Sequence, residues 1–327
     1  MPERLRLLEN WLQQSCLLTY DLIAPASSDA SFRRYFRVIL SDGSSLIAMD
    51  APPDKEDCRP FVHVAELMQH AGVHVPQVMA RDLERGFLLL EDLGSVAYLD
   101  ALTPASVENL YADALDTLLH LQTGAPAAEL PSYDEALLRR EMALFPDWLL
   151  ARHLDIPLQA KDLAMWDALT DELVASALAQ PMVFVHRDYH SRNLMVVEQH
   201  NPGVIDFQDA VAGPVTYDLV SLLRDCYVNW PSEHVDAWVA AFARELRAAG
   251  ITTADDETFL AWFDLMGVQR HLKASGIFAR LNHRDGKPGY LADIPRTLGY
   301  IVDVGNRRSA VRALADFIEV RVLSRLS

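Results

Sequence analysis

Three oxygen-bearing side chains, Asp188, Asn193 and Asp206, stand at spacings that suit metal-assisted transfer of a charged group. An apolar run, Val183 to Val185, reads as a short buried strand and leads into His186-Arg187-Asp188. Asn193 follows five residues after the aspartate. A second strand is predicted over Leu194 to Val197, a turn at Asn201-Pro202-Gly203, and a third apolar pair at Val204-Ile205 that ends on Asp206. The expected unit is strand, loop, strand, turn, strand, with polar groups at its tips. An aspartate on a tight loop can orient a hydroxyl and accept its proton. An asparagine five residues on and an aspartate on the next strand can share Mg²⁺, a hard cation that prefers oxygen ligands together with ATP phosphates. The plainer alternative is that Asp188 and Asn193 only cap turns. His186 and His190 are four apart, but flanking strands and the adjacent Arg187 make a poor zinc clamp.

His186, Arg187, Asp188 and Asn193 fill all four fixed positions of H-R-D-x-x-x-x-N, the catalytic-loop pattern of kinase-like folds. The stretch VHRDYHSRNLMV, followed by GVIDFQDAVAGPVTYDLVSLLRD, resembles the aminoglycoside phosphotransferase family of small-molecule kinases. SSDASFRRYFRV near the N-terminus and QRHLKASGIFARL further on are similar to one branch of it, the bacterial N-acetylmuramate/N-acetylglucosamine anomeric kinases of cell-wall recycling. The resemblance spans the whole chain. It implies an α+β, protein-kinase-like bilobal fold: a small mixed α/β nucleotide-binding N-lobe over residues 1–94 and a larger, mainly helical C-lobe over 95–327. It also implies ATP and Mg²⁺, a small amino sugar as acceptor, and a monomer. Catalysis falls to Asp188 with His186 and Arg187, metal binding to Asn193 and Asp206, and bracing of the loop to Asp218. Aminoglycoside or choline as acceptor, and a nucleotide-binding pseudokinase, stay open as alternatives.

The elements that must position these groups are legible in part. Residues Glu3 to Gln14 form a helix with Leu5, Leu8 and Leu12 on one face. Tyr35 to Leu40 and Ser45 to Met49 are strands around an Asp42-Gly43 hairpin turn. No G-x-G-x-x-G and no G-x-x-x-x-G-K-[ST] is present. Ser27, Ser28, Ala30 and Ser31 are small enough to let the backbone approach phosphate, and Arg33 or Arg34 could add guanidinium contacts, or simply solvate a strand. The nucleotide candidates are therefore Ser31, Phe32, Arg33 and Arg34. The strand that should end on a phosphate-pairing lysine reads Ile47-Ala48-Met49-Asp50, and the chain's four lysines, Lys55, Lys161, Lys273 and Lys287, lie elsewhere. Glu66, in the helix His63 to His70, is the expected partner of that lysine and without it remains only a minor candidate. Phe87 to Leu90 is a buried strand, and Glu91 to Leu93 falls where the family has its adenine-binding hinge, which nominates Glu91 and Leu93.

Beyond Gly94 helical periodicity takes over. Helices are expected from Thr103-Pro104, with the proline in the first turn, over Tyr133 to Leu150, over Leu163 to Leu178 and from Tyr217-Asp218 onward, with a turn at Gly213-Pro214. A long helix in the C-terminal third carries Arg270 and Lys273, three apart, as either a solvated basic face or a cationic wall facing a substrate carboxylate. Arg140 and Glu141 are further pocket candidates. Only 12 positions separate Asp206 from Asp218, which leaves no room for a long regulatory segment.

At 327 residues, 50% apolar and 23% charged, the composition is that of a folded globular protein. A net charge of −17 disfavours nucleic acid and anionic membranes as partners. No apolar run approaches the ~20 residues needed to cross a bilayer. The N-terminus lacks an apolar signal core, and three cysteines without metal-ligand spacing read as reduced thiols, so cytoplasm is the expected location.

Overall fold

The computed structural model describes residues 2–27 and 32–326. Its contacts divide the chain into two compact units, Met1–Ala114 with Asn193–Asp209, and Leu115–Arg192 with Ala210–Ser327. This grouping differs from a single cut at Gly94, because the catalytic sequence crosses from one unit to the other between Arg192 and Asn193.

The first unit is built on an antiparallel sheet that, among the described residues, has five strands in the order β1-β2-β3-β5-β4. The strands are β1 (Leu22–Ser27), β2 (Arg34–Ile39), β3 (Ser45–Asp50), β4 (Val78–Asp82) and β5 (Phe87–Glu91). In β2 the period of two sends Phe36 and Val38 inward and Arg37 to the other face. The inward pair meets Leu8, Trp11 and Leu12 of helix α1 (Pro2–Gln14), together with Ala48, Phe87 and Leu89. Gly86 turns the chain into β5 at φ +74°, where a Cβ would fall 1.8 Å from the Ala51 carbonyl oxygen, so only glycine fits. Helix α2 (Arg59–His70) buries Phe61, Val62, Val64, Ala65, Leu67 and Met68. Glu66, on its other face, is exposed and pairs with Arg81 at 3.2 Å.

Residues 193–209 join this unit through a two-residue ladder, β7 (Leu194–Met195) against β8 (Gly203–Val204). The Val204 N–H donates to the His74 carbonyl (2.7 Å) and the Val196 N–H to the Val96 carbonyl (2.8 Å), just before the short helix α3 (Tyr98–Ala101). Helix α4 (Val107–Gly124) carries the chain onward. It begins later than expected, leaving Pro104 in the preceding turn.

In the second unit, β6 (Met182–Val185) pairs with β9 (Val211–Pro214), with Val183 opposite Gly213. The sequence pattern put a turn at Gly213-Pro214. The structure corrects that point: β9 occupies the Gly-Pro segment, and Gly213 lies against the Tyr133 side chain, where a Cβ would sit 3.2 Å from the ring. Around this ribbon lie α5 (Glu135–Met142), α6 (Ala160–Leu178), α7 (Tyr217–Leu223), α8 (Ser232–Ala248), α9 (Asp256–Asp285), α10 (Ile294–Arg307) and α11 (Arg312–Phe317). The predicted helix over Tyr133 to Leu150 is instead α5 followed by a wide-turned π-helical segment, Phe145–His153.

Helix α9 is the spine of the unit. Asp255 caps its start by accepting from the Thr258 N–H (2.9 Å), and Gly286 ends it in the left-handed region at φ +64°. At Gly276 the helix approaches the main chain of Leu144 so closely that a Cβ would lie 2.3 Å from its carbonyl carbon. The Asp264 carboxylate, fully buried, accepts from Arg224 (2.6 Å), Arg307 (2.7 Å) and Arg308 (2.9 Å), tying the ends of α7 and α10 to α9. Among the described residues no helix is long and apolar enough to cross a membrane.

Candidate active site

In the second unit, the loop after β6 is held by two carboxylates. Asp218, buried at the start of α7, accepts the His186 N–H on one oxygen (2.6 Å) and the Arg187 N–H on the other (3.0 Å). Burial lifts the Asp218 carboxyl to about 7, against the pull of those two N–H bonds. Asp225 holds the far side: one oxygen takes both the Ser191 N–H (2.9 Å) and hydroxyl (2.5 Å), and the other takes the Tyr227 N–H (2.9 Å). Arg187 is pinned at φ +79°, a conformation that costs a non-glycine residue free energy and persists only where its surroundings impose it. The imidazole of His186 is fully buried, and its Nδ1 accepts from the Asp188 N–H (3.2 Å), so this histidine shapes the loop.

Asp188 is partly exposed at the centre of this arrangement. Burial alone would raise its carboxyl, but Lys273, His190, Arg270 and His186 outweigh burial and hold it below the usual carboxylate range. Such a group is ionised at neutral pH and available to accept a proton.

Arg270 and Lys273 do lie together on α9, and both are buried rather than solvated. Lys273 Nζ donates to the Tyr217 hydroxyl (2.9 Å) and pairs with Glu141 at 3.1 Å. Arg270 Nη1 lies 3.6 Å from the Cys226 sulfur. Glu141, buried on α5, is the anionic partner of Arg187 and Lys273 and also accepts the Tyr133 hydroxyl. Burial opposes its charge, yet Lys273 and Arg187 keep its carboxyl below the ordinary value. Gln269 donates to the same Tyr133 hydroxyl (3.1 Å), and the Tyr133 and Tyr217 rings meet edge to face at 5.3 Å. Glu141 therefore joins the charged cluster around Asp188 from α5. Arg140, its neighbour, is exposed and lies outside the cluster.

In the first unit, the β7–β8 ladder brings Asn193 opposite Ile205, whose N–H donates to the Asn193 carbonyl (3.0 Å). Asp206 follows at φ +66°. Its carboxylate lies 3.5 Å from Asn193 Nδ2 and accepts from Gln208 Nε2 (2.9 Å). The Gln208 amide oxygen is buried and has no hydrogen-bond partner among the described residues. Among the described residues no three His, Cys, Asp or Glu side chains cluster to cage a metal by themselves. A carboxylate and amide oxygens fit Mg²⁺, which typically takes one or two protein carboxylates and completes its shell with water and phosphate oxygens.

The nucleotide candidates separate. Ser31, with Ser28 and Ala30, lies outside the described residues. The exposed Phe32 ring has Lys55 Nζ 6.0 Å from its centroid. Arg34 is an ion-pair partner of Asp50, whose fully buried carboxylate also accepts from Arg4 Nε (3.2 Å) of α1. Arg33 pairs with Glu56 at 3.3 Å and interacts electrostatically with Asp206. The charge of Arg33 thus reaches the candidate metal carboxylate. Glu91 spends its side chain on His74 (3.2 Å) and the Gln77 N–H (3.2 Å), while its own N–H donates to the Gln77 carbonyl (2.9 Å). Leu93 is buried, packed where a Gly203 Cβ would be.

Sequence reasoning missed Asp225, Tyr133 and Tyr217. An Arg-Asp-Cys at a helix end and two tyrosines in separate elements carry no spacing signal, since their shared neighbourhood is created by the β6–β9 pairing.

An antiparallel sheet unit, a helical unit and an H-R-D loop with a braced aspartate define a kinase-like phosphotransferase. A family model described as "Phosphotransferase enzyme family" matches residues 22–262, and the chain belongs to that family. It is 55% identical over 297 residues to the N-acetylmuramate/N-acetylglucosamine kinase of Pseudomonas aeruginosa (90% of this chain, 87% of that one). It is 44% identical over 312 residues to the protein of the same name from Neisseria meningitidis serogroup B (94% and 92%). Among solved structures, the ADP-bound aminoglycoside phosphotransferase APH(2'')-Ib has a TM-score of 0.58 at 13% identity, covering 90% of this chain and 96% of that one. At that identity the likeness concerns the fold.

Proposed function

We propose that this chain is an ATP-dependent kinase for the anomeric hydroxyl of N-acetylmuramate and N-acetylglucosamine, forming the α-1-phosphates in peptidoglycan recycling. The observation that carries the reading is Asp188: an ionised carboxylate on a doubly braced H-R-D loop, in a chain 44–55% identical to kinases of that name. Asp188 accepts the proton of the anomeric hydroxyl as its oxygen attacks the γ-phosphorus, and the bond to the β-phosphate oxygen breaks to release ADP. An anomeric hydroxyl is more acidic than an ordinary alcohol, so positioning carries much of the catalysis. His186, Asp218 and Asp225 fix the loop that presents Asp188, and Glu141 with Arg187 and Lys273 fixes the charge around it. Asn193 and Asp206 are the residues that would hold Mg²⁺, which, when bound, supplies neutralisation of phosphate charge. Arg33 contributes a second cation for the phosphates, and residues 1–94 serve the nucleotide. ATP as donor places the reaction in the cytoplasm.

Release of ADP with each sugar, with an aminoglycoside and with choline, in the presence of Mg²⁺, tests the proposal. Turnover of both amino sugars is expected; turnover of the aminoglycoside or choline alone would replace the acceptor and leave the kinase reading in place. ATP binding without turnover of any acceptor would instead favour the pseudokinase alternative.

A further inference from the structure

Both α9 cations that could read an anionic group on the acceptor are already occupied, Lys273 by Glu141 and Tyr217, and Arg270 in a buried position beside Cys226. Arg192 is different. It follows Asp188 by four residues in the same loop and is exposed. Its guanidinium carbon lies 3.7 Å from the Tyr227 ring centroid and 5.4 Å from that of Tyr290. The two rings are themselves supported: Tyr227 meets His190 edge to face at 5.4 Å, and Tyr290 stacks on Phe278 at 5.7 Å. A guanidinium laid on an aromatic face spends its π surface there and keeps its N–H edge for acceptors in its own plane. Among the described residues no hydrogen bond or ion pair within 4 Å engages that edge, and the Asp293 carboxylate feels its charge only from further away. His190, whose N–H donates to the Asp188 carbonyl (3.0 Å), feels the charges of both Asp188 and Arg192, so base and cation share one neighbourhood.

We infer that Arg192, clamped on Tyr227 and Tyr290, is the specificity residue that pairs with the lactyl carboxylate of N-acetylmuramate. The inference rests on the sugar-kinase reading above. N-acetylglucosamine has a hydroxyl where N-acetylmuramate carries the lactyl ether, and so offers Arg192 no charge. A planar fork already fixed by stacking loses little freedom when it engages a carboxylate with two parallel bonds. The carboxylate's contribution is then about 10- to 100-fold in kcat/KM.

The test measures kcat/KM of the full chain and of Arg192→Gln on three sugars: N-acetylglucosamine, N-acetylmuramate, and N-acetylmuramate with its carboxylate converted to the amide. Wild type is expected to lose about 10- to 100-fold on going from the acid to the amide. Arg192→Gln should lose a similar factor on the acid, show no further loss on the amide, and keep N-acetylglucosamine turnover, which also reports that it folds. Arg192→Lys, which keeps the charge without the stacked fork, should fall between. Equal losses on both sugars, an unchanged rate on N-acetylmuramate, or an acid-to-amide penalty that persists in Arg192→Gln each overturns the assignment. So does a wild type with no acid-to-amide penalty, an arm that needs no variant. If wild type turns over neither sugar, the sugar-kinase reading itself has failed, and that is seen before any substitution is made.

Discussion

Asp188 owes its ionised state to neighbours and not to exposure, and that dependence can be measured. Asp188→Asn should lower kcat by about 10²- to 10⁴-fold with ATP binding retained, read by turnover alongside nucleotide titration. Because the Asp188 carboxyl sits below the usual range, the acid limb of kcat/KM should lie below the pH at which an ordinary aspartate titrates. Removing the leading cation with Lys273→Met should move that limb upward. The same sign governs stability: a lowered folded-state value stabilises above the unfolded value, and the contribution is lost as pH falls through the folded one. The two neighbouring arginines should part company. Arg33→Ala is expected to raise the KM for ATP, whereas Arg34→Ala should mainly lower the melting temperature, since it leaves buried Asp50 with Arg4 alone. Equal effects of both substitutions on KM would return Arg34 to the nucleotide.

Secondary-structure elements decide whether these side chains meet at all. Gly276 lets α9 lie against the Leu144 main chain, less than two turns beyond Arg270 and less than one beyond Lys273 on the same helix. Gly276→Ala should push the helix off that contact and destabilise the fold by about 1–3 kcal/mol, visible in denaturant titration, with a loss of kcat because the cations of the base cluster shift with the helix. Much of the framework is legible from local pattern: α1, β2, β3 and β5 follow their apolar periods, and the H-R-D loop, Asn193 and Asp206 follow from a motif. The β6–β9 pairing was not legible, because Gly213-Pro214 reads as a turn and only the tertiary position of Tyr133 makes it a strand. The burial of Arg270 and Lys273 was also hidden. Two cations three apart on a helix resemble a solvated face until the counter-charge of Lys273, Glu141, arrives from an element more than 100 residues earlier.

For the molecule as a whole, two charge effects have opposite ranges. Asp264 gathers three arginines at short range, and Asp264→Ala should cost about 3–5 kcal/mol, because the buried Arg224 keeps its charge without a partner. At long range, the net charge of −17 repels ATP and N-acetylmuramate, both anions. Raising ionic strength from about 0.01 to 0.1 M shortens the screening length from about 30 to 10 Å, so kcat/KM should rise, more for N-acetylmuramate than for N-acetylglucosamine. A fall with salt would show that the local cations outweigh the total.

The acid at the end of β3 has a last consequence. Kinases elsewhere keep a lysine at this place, and here the polarity is inverted: a buried anion is enclosed by Arg34 and by Arg4 from the first helix. Restoring the familiar residue should therefore be harmful, since Asp50→Lys would set three cations against one another. Adding Arg34→Glu to Asp50→Lys should recover part of the lost stability by turning the pair around. A family-wide inventory that sorts active from inactive kinases by that lysine alone would misfile this chain, and the melting temperatures of the single and double substitutions would show why.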